Sequence, residues 1–219
     1  MPGAERTAQH DRQPSPVLVV RADGCGSRTG PRTERDDMRI LVAYATRHGA
    51  TAGIAERIAA VLTETGRPAE ARPVEDVTNV EGYNAVILGG AAYMLHWLKP
   101  AVKFARRHRA ALAGRPVWLF SSGPLGTDLV DKDGQDVLQS TRPKEFDELT
   151  ELLHPRGEQV FFGAYDPEAE PVGLGERLVR HMPAAQDALP AGDFRDWDAI
   201  EAWARGIAES LGTHGRQPE

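Results

Sequence analysis

Ile40-Leu41-Val42-Ala43-Tyr44-Ala45-Thr46-Arg47-His48-Gly49-Ala50-Thr51 decides the fold. The run from Arg39 to Tyr44, apolar after its first residue, reads as a strand. The stretch after the run is short, polar and glycine-containing, and the next segment repeats apolar residues at Ile54, Ile58, Val61 and Leu62, one face of a helix. The unit is therefore strand, loop, helix. The loop Thr46 to Thr51 suits a phosphate. Backbone N–H groups at a helix N-terminus point outward at the positive end of the dipole, Thr46 and Thr51 add hydroxyls, Gly49 permits close approach, and Arg47, His48 and Ala50 complete the set. The same residues also make an ordinary turn capped by Thr51, and the loop alone does not choose. It lacks the Gly-Lys-Ser/Thr of a nucleoside-triphosphate loop and the repeated glycines of the dinucleotide fingerprint.

Outward from this unit, strand-like runs alternate with helical periods, the pattern of an α/β domain with a parallel sheet. Ala69 to Arg72, flanked by Pro68 and Pro73, reads as an edge strand. Ala85-Val86-Ile87-Leu88-Gly89-Gly90 reads as a central one. A helix opening near Pro100 carries Phe104 and Leu112 and stops before Gly114, and Pro116 to Phe120 forms a fourth strand. A helix from about Pro143 turns Phe146, Leu149 and Leu153 inward, and the fifth strand is Gln159 to Ala164. Asp196 caps a last helix striped by Trp197, Ile200, Ala204, Ile207 and Leu211, with Gly212 ending it. Ligands in such sheets bind at the carboxyl ends of the strands.

Composition narrows the function classes. The chain has 219 residues, 41% hydrophobic, one cysteine and a net charge of −6, which fits a single domain plus a tail. One cysteine makes neither an internal disulfide nor a cysteine cluster, so the chain suits a reducing cytoplasm, and redox chemistry needs a bound carrier. No basic character spans the chain to attract nucleic acid, and no apolar run approaches the roughly 20 residues of a membrane helix. Residues 1–37 hold six Arg, six Asp or Glu, four Pro and four Gly with little apolar patterning, and read as a disordered tail containing Cys25. Translation starting at Met38 is one expectation, a genuine extension the other. Residues 38–212 form the domain, and 213–219 a short disordered C-terminus.

With two further loops the pattern becomes a resemblance. Ile40 to Thr51 resembles the FMN-phosphate loop of the flavodoxin superfamily, and Thr-Arg-x-Gly-x-Thr within it resembles the menaquinone-dependent protoporphyrinogen oxidase branch. Gly89 to Trp97, then Phe104, His108, Leu112, Pro116, Phe120 and Ser121, and the later Asp196-Trp197, are similar to that branch in spacing. The similarity runs from Met38 to about Leu211. It implies a flavodoxin-like, doubly wound, five-stranded parallel sheet of order 2-1-3-4-5 with helices on both faces. It also implies non-covalent FMN, the phosphate on Thr46 to Thr51 and the isoalloxazine between Ala91-Ala92-Tyr93 to Trp97 and Ser121-Ser122-Gly123 to Asp128. Tyr93 and Trp97 are the stacking candidates, each with a core or surface-packing alternative. Ser121, Ser122 and Gly123 offer polar contacts, against the alternative of a flexible turn.

The oxidase resemblance further implies oxidation of protoporphyrinogen IX in heme biosynthesis, with a quinone as acceptor. The alternatives are an electron carrier for a protein partner and a binding module of the same fold without flavin. Flavin chemistry needs no visible acid or base, and His96 and His108 are the candidate proton handlers, each also readable as a surface histidine. Lys99, Lys103, Arg106, Arg107, His108, Arg109 and Arg115 form a basic run suited to an anionic tetrapyrrole, or merely a solvated helix face. One departure from the branch stands out. Asp166 to Arg195 is acidic and proline-bearing where the oxidases carry a basic, apolar insertion, and reads as an irregular surface connection, the alternative being one or two short amphipathic turns at Leu174 to Met182.

Overall fold

The computed structural model describes residues 38–169 and 190–212, all within one compact unit, 32–219. The expected tail at 1–37, the Leu174 to Met182 stretch and residues 213–219 lie outside the described residues. In chain order the elements are β1 (Ile40–Ala45), α1 (Ala50–Glu64), β2 (Ala69–Pro73), a 3₁₀ turn (Val74–Asp76), β3 (Ala85–Tyr93), β4 (His96–Trp97) and α2 (Lys99–Leu112). Then come β5 (Val117–Ser122), α3 (Val137–Ser140), α4 (Glu145–Leu153), β6 (Gly157–Phe161), β7 (Ala164–Tyr165), β8 (Gly192–Asp193) and α5 (Trp197–Gly212).

Five strands run parallel in the order β2-β1-β3-β5-β6, and β4 folds back antiparallel on β3. Counted without that hairpin strand, this is the expected 2-1-3-4-5. Ile40 pairs with both Ala69 and Ala85, so β1 is flanked on both sides and all six of its residues are buried. Strand β2, which ends in Pro73, takes the edge of the sheet, where a proline is tolerated.

Alternation along the strands divides the core. Leu41, Ala43, Val86, Leu88, Val117 and Leu119 face α2 and α4, meeting Phe104, Phe146 and Leu149. Ile40, Val42, Ile87, Trp118 and Phe120 face α1 and α5, meeting Ile54, Ile58, Leu62, Ile200 and Ile207. A fully buried side chain of this size contributes about 1.5–3 kcal/mol, so both layers are needed to order the loops above them.

Four expectations change. The fifth strand begins two residues earlier than Gln159 and ends at Phe161, because Gly163 turns its N–H to Pro124 O (2.9 Å) and the chain leaves the sheet. Ala164 and Tyr165 then pair with Asp193 and Gly192 in a separate antiparallel ribbon, so a short strand stands at Gly192–Asp193 within the expected irregular connection. Trp197 is 37% exposed rather than part of the buried stripe, since it begins α5 beyond the strand ends. Trp203 packs edge-on against Phe120 and Phe161 in its place, at 6.1 and 5.6 Å. Gly212 lies inside the last turn of α5 rather than after it.

Candidate functional site

At the carboxyl ends of β1, β3 and β5 three loops meet. The first is closed by its own residues. Gly49 adopts φ +85°, which a glycine enters without a Cβ penalty, and its N–H donates to Thr46 Oγ1 (3.1 Å). Gly49 O accepts the first helical bond, from Gly53 N–H (3.0 Å). Gly49 is thus the N-cap of α1, not Thr51. The N–H groups of Ala50, Thr51 and Ala52 fall in the first turn, where a helix provides them no carbonyl. Thr51 itself is fully buried, and its hydroxyl bonds Ser122 Oγ at 2.8 Å. Its side chain anchors the helix to β5, which leaves only its backbone N–H for a ligand. Arg47 is exposed at the loop surface, and its guanidinium lies 4.7 Å over the Tyr93 ring, within cation–π range.

The second loop is the β3–β4 hairpin. Ala91 is buried, Ala92 half-buried, and Tyr93 39% exposed at the rim. Trp97 does not face the site. It is 2% exposed, its indole N–H donates to Gly90 O (2.8 Å), and it stands edge-to-face on Phe146 at 5.2 Å. The indole fits because a Cβ on Gly90 would lie 2.6 Å from it. Trp97 is a core residue, which corrects its expected stacking role. His96 is exposed, with Nδ1 2.9 Å from Glu145 Oε1, while Glu145 Oε2 accepts the Trp97 N–H at 2.9 Å. Partial burial pushes the Glu145 carboxyl up, but the bonds from Trp97 and His96 outweigh it and hold the group below its ordinary value.

The third loop follows β5. Ser121 and Ser122 are both buried, so neither hydroxyl reaches outward as expected. Ser122 is bonded to Thr51, whereas Ser121 Oγ has no hydrogen-bond partner among the described residues. Gly123 donates to Phe161 O (3.3 Å), and a Cβ there would lie 3.2 Å from Ala92 O, so the second and third loops abut. Thr51 to Ser122, Arg47 to Tyr93 and Gly123 to Ala92 together knit the three loops.

Beside the first loop a cleft of about 680 Å³ opens between His48, Gly49 and Ala50 on one wall and the β7–β8 ribbon on the other. The pattern of the sequence did not point to the ribbon. Arg195 Nε and one terminal nitrogen bond the two Asp193 carboxylate oxygens at 2.7 and 2.5 Å, and these bonds hold Asp193 below its ordinary value. The same guanidinium lies 4.4 Å over Trp197 and 3.4 Å from Ala50 O, above the first turn of α1. The one available hint was Gly53, a glycine inside a helix, where a Cβ would meet Arg195 at 2.5 Å.

The basic run does not gather at the site. Helix α2 starts at Lys99 beside β4 and runs back towards the amino ends of the strands, so at about 1.5 Å per residue Arg106 to Arg109 lie roughly 10–15 Å away. Arg106 makes a two-pronged pair with Glu148 at 2.8 and 2.7 Å. Arg115 holds Tyr83 O (2.8 Å), next to the start of β3. His108 leans on Phe104 at 4.5 Å, and burial, aided by the Arg107 charge, lowers its pKa below 6.5. Its place far along α2 removes it as a proton handler at these loops.

The sequence profile of the flavodoxin domain matches residues 41–169, more than half of the chain. No curated protein matches it. Among solved structures, a flavodoxin from the domain Archaea aligns at 15% identity and TM-score 0.50, over 80% of this chain and 99% of that one. A flavodiiron core from Synechocystis aligns at 13% identity and TM-score 0.52, over 82% of this chain and 37% of that one. Rubredoxin:oxygen oxidoreductase from Desulfovibrio gigas aligns at 11% identity and TM-score 0.50, over 80% of this chain and 36% of that one. The chain spans little more than a third of the last two, and at these identities the likeness is one of fold. No helix among the described residues is long and apolar enough to cross a membrane.

Proposed function

The chain belongs to the flavodoxin-domain family, whose cofactor is FMN, and from that premise we propose that it is an FMN-dependent oxidoreductase holding the flavin at the three loops. The carrying observation is that a first turn with unused N–H groups opens beside an exposed aromatic, Tyr93, linked to that turn through Arg47. The donor set suits a phosphate monoester. Thr46 Oγ1 already accepts from Gly49, which leaves its proton to donate outward, and the Ala50, Thr51 and Ala52 N–H groups converge with the dipole behind them. Ala91 to Tyr93 on one side and Gly123 on the other would border the ring. FMN, when bound, supplies one- and two-electron redox chemistry. The protein residues then position it, and Tyr93 removes apolar surface from water at about 25 cal/mol per Å².

We extend the reading to substrate: protoporphyrinogen IX as donor and a quinone as acceptor. This rests on the similarity of Thr46 to Thr51, Tyr93 and His96 to the oxidase branch. Arg47 and Lys99, both exposed at the loop end of the molecule, suit a carboxylate-bearing substrate better than the rest of the basic run does. The visible spectrum of the purified protein, with identification of any flavin released on denaturation, tests the cofactor; a colourless protein indifferent to added FMN overturns it. Quinone-coupled oxidation of protoporphyrinogen above the autoxidation rate tests the substrate. A flavin-loaded protein without that turnover, but able to exchange electrons with a redox protein, is a carrier instead.

A further inference from the structure

Met94 (φ 51°) and Leu95 (φ 63°) form the two-residue tip joining β3 to β4, in the left-handed region at successive non-glycine positions. A turn of this geometry is ordinarily Asn-Gly, because both central residues need positive φ. With Met-Leu the local preference opposes the turn, so it persists only if its surroundings hold it. The tip does not hold itself, since the Met94 side chain is 93% exposed.

The start of α4 supplies the hold. Lys144 N–H donates to Leu95 O at 3.0 Å. Glu145 Oε1 pairs with His96 Nδ1 and Glu145 Oε2 accepts Trp97 N–H, each at 2.9 Å. Two successive residues, Lys144 and Glu145, thus bind three successive residues, Leu95, His96 and Trp97. The clasp is itself fixed: Phe146, the next residue, is fully buried and packs edge-on against the Trp97 ring at 5.2 Å. A carboxylate in the first turn of a helix also sits at the favourable end of the dipole.

We propose that Glu145 is the positioning residue of this hairpin: its clasp on His96 and Trp97 keeps Met94-Leu95 in the left-handed turn and so holds Tyr93 at the rim opposite Arg47, fixing one wall of the cofactor site. The consequence for flavin rests on the reading given under Proposed function; the clasp itself does not. Glu145→Ala removes both contacts, Glu145→Gln keeps an acceptor for the Trp97 N–H while weakening the contact with His96, and His96→Ala removes one arm.

The test begins with amide hydrogen exchange on the full-length, flavin-free protein. Glu145→Ala is expected to speed exchange of the Trp97 amide by roughly tenfold or more, the weight of a hydrogen bond to a charged group, while Ile87 and Leu88 keep their protection. Glu145→Gln is expected to restore most of it. Unchanged exchange at Trp97 in Glu145→Ala overturns the clasp; if Glu145→Ala does not fold, unchanged exchange in Glu145→Met, which keeps the length of the side chain without an acceptor for the Trp97 N–H, does the same. The second arm is FMN titration and the reduction potential of the bound flavin. Glu145→Ala is expected to weaken FMN about tenfold and to move the potential, with Glu145→Gln recovering both. Faster exchange with affinity and potential unmoved overturns the wall-fixing role. A wild-type protein that takes no FMN overturns the flavin reading and that role with it, and the exchange arm still decides the clasp.

Discussion

The hydroxyls of Thr51 and Ser122 lie 2.8 Å apart, both fully or almost fully buried, and join the first turn of α1 to the last residue of β5. Breaking that pair leaves a buried hydroxyl unsatisfied, which costs about 1–3 kcal/mol. Thr51→Val is therefore expected to destabilise by that amount in urea unfolding. The double variant Thr51→Val with Ser122→Ala removes both partners and is expected to regain most of the loss. A double variant as unstable as the sum of the singles would show that the pair is not coupled.

Gly49 separates conformation from contact. A Cβ built there meets nothing within 4 Å, so the position is spacious and only its φ of +85° demands glycine. Gly49→Ala is expected to cost about 1 kcal/mol and to loosen the Thr46 to Thr51 loop, while Gly49→Asn, whose side chain tolerates the left-handed region, costs less. If the loop holds FMN, affinity falls in the same order. Equal effects of the two substitutions would mean that the backbone conformation is not what matters.

The parts of this fold that could be read from sequence are those in which neighbours along the chain share one environment. Ile54, Ile58 and Leu62 repeat at helical spacing because one face of α1 is buried, and Ala85 to Leu88 is uniformly apolar because both faces of β3 are covered. What stayed hidden depends on pairs far apart in the chain. Whether Trp97 points in or out is decided by the space above Gly90 and by Phe146, residues with no local signal for each other. The β7–β8 ribbon has two residues per strand, too few for any period to show. The Met94-Leu95 turn runs against its own local preference, so no turn rule could find it. The position of the basic run is different: a helix between parallel strands must run antiparallel to them, which carries Arg106 to Arg115 away from the loops.

His108 should give the protein a pH dependence below neutrality. Its Nε2 is buried without a hydrogen-bond partner among the described residues, and burial with the Arg107 charge lowers its pKa below 6.5. Between 6.5 and that lower value the unfolded chain takes a proton that the folded chain does not. Stability from this group is thus complete above about pH 6.5 and declines as pH falls. His108→Leu removes both the unmet nitrogen and the titration. The expected result is a urea midpoint that varies less between about pH 5 and 7 than in the wild type and is higher at the acid end, since a buried polar group is replaced by an apolar one. An identical slope in the variant would exclude His108 as the source.

Gly53 and Arg195 should prove energetically coupled across the cleft edge. Alanine in place of a helical glycine ordinarily stabilises by about 0.5–1 kcal/mol. At Gly53 the new Cβ would stand 2.5 Å from the Arg195 guanidinium, which must then leave Ala50 O and shift from the Trp197 ring while keeping or breaking its pair with Asp193. Arginine is flexible, so the displacement lowers the gain rather than unfolding the helix. Gly53→Ala alone is expected to be near neutral, and the same change in an Arg195→Ala background to stabilise by about 1 kcal/mol. The interaction energy from this cycle, about 0.5–1 kcal/mol, measures how firmly the ribbon sits on the first turn of α1. Additive effects would mean that Arg195 does not rest there in solution, and that the cleft beside the first loop is larger than about 680 Å³.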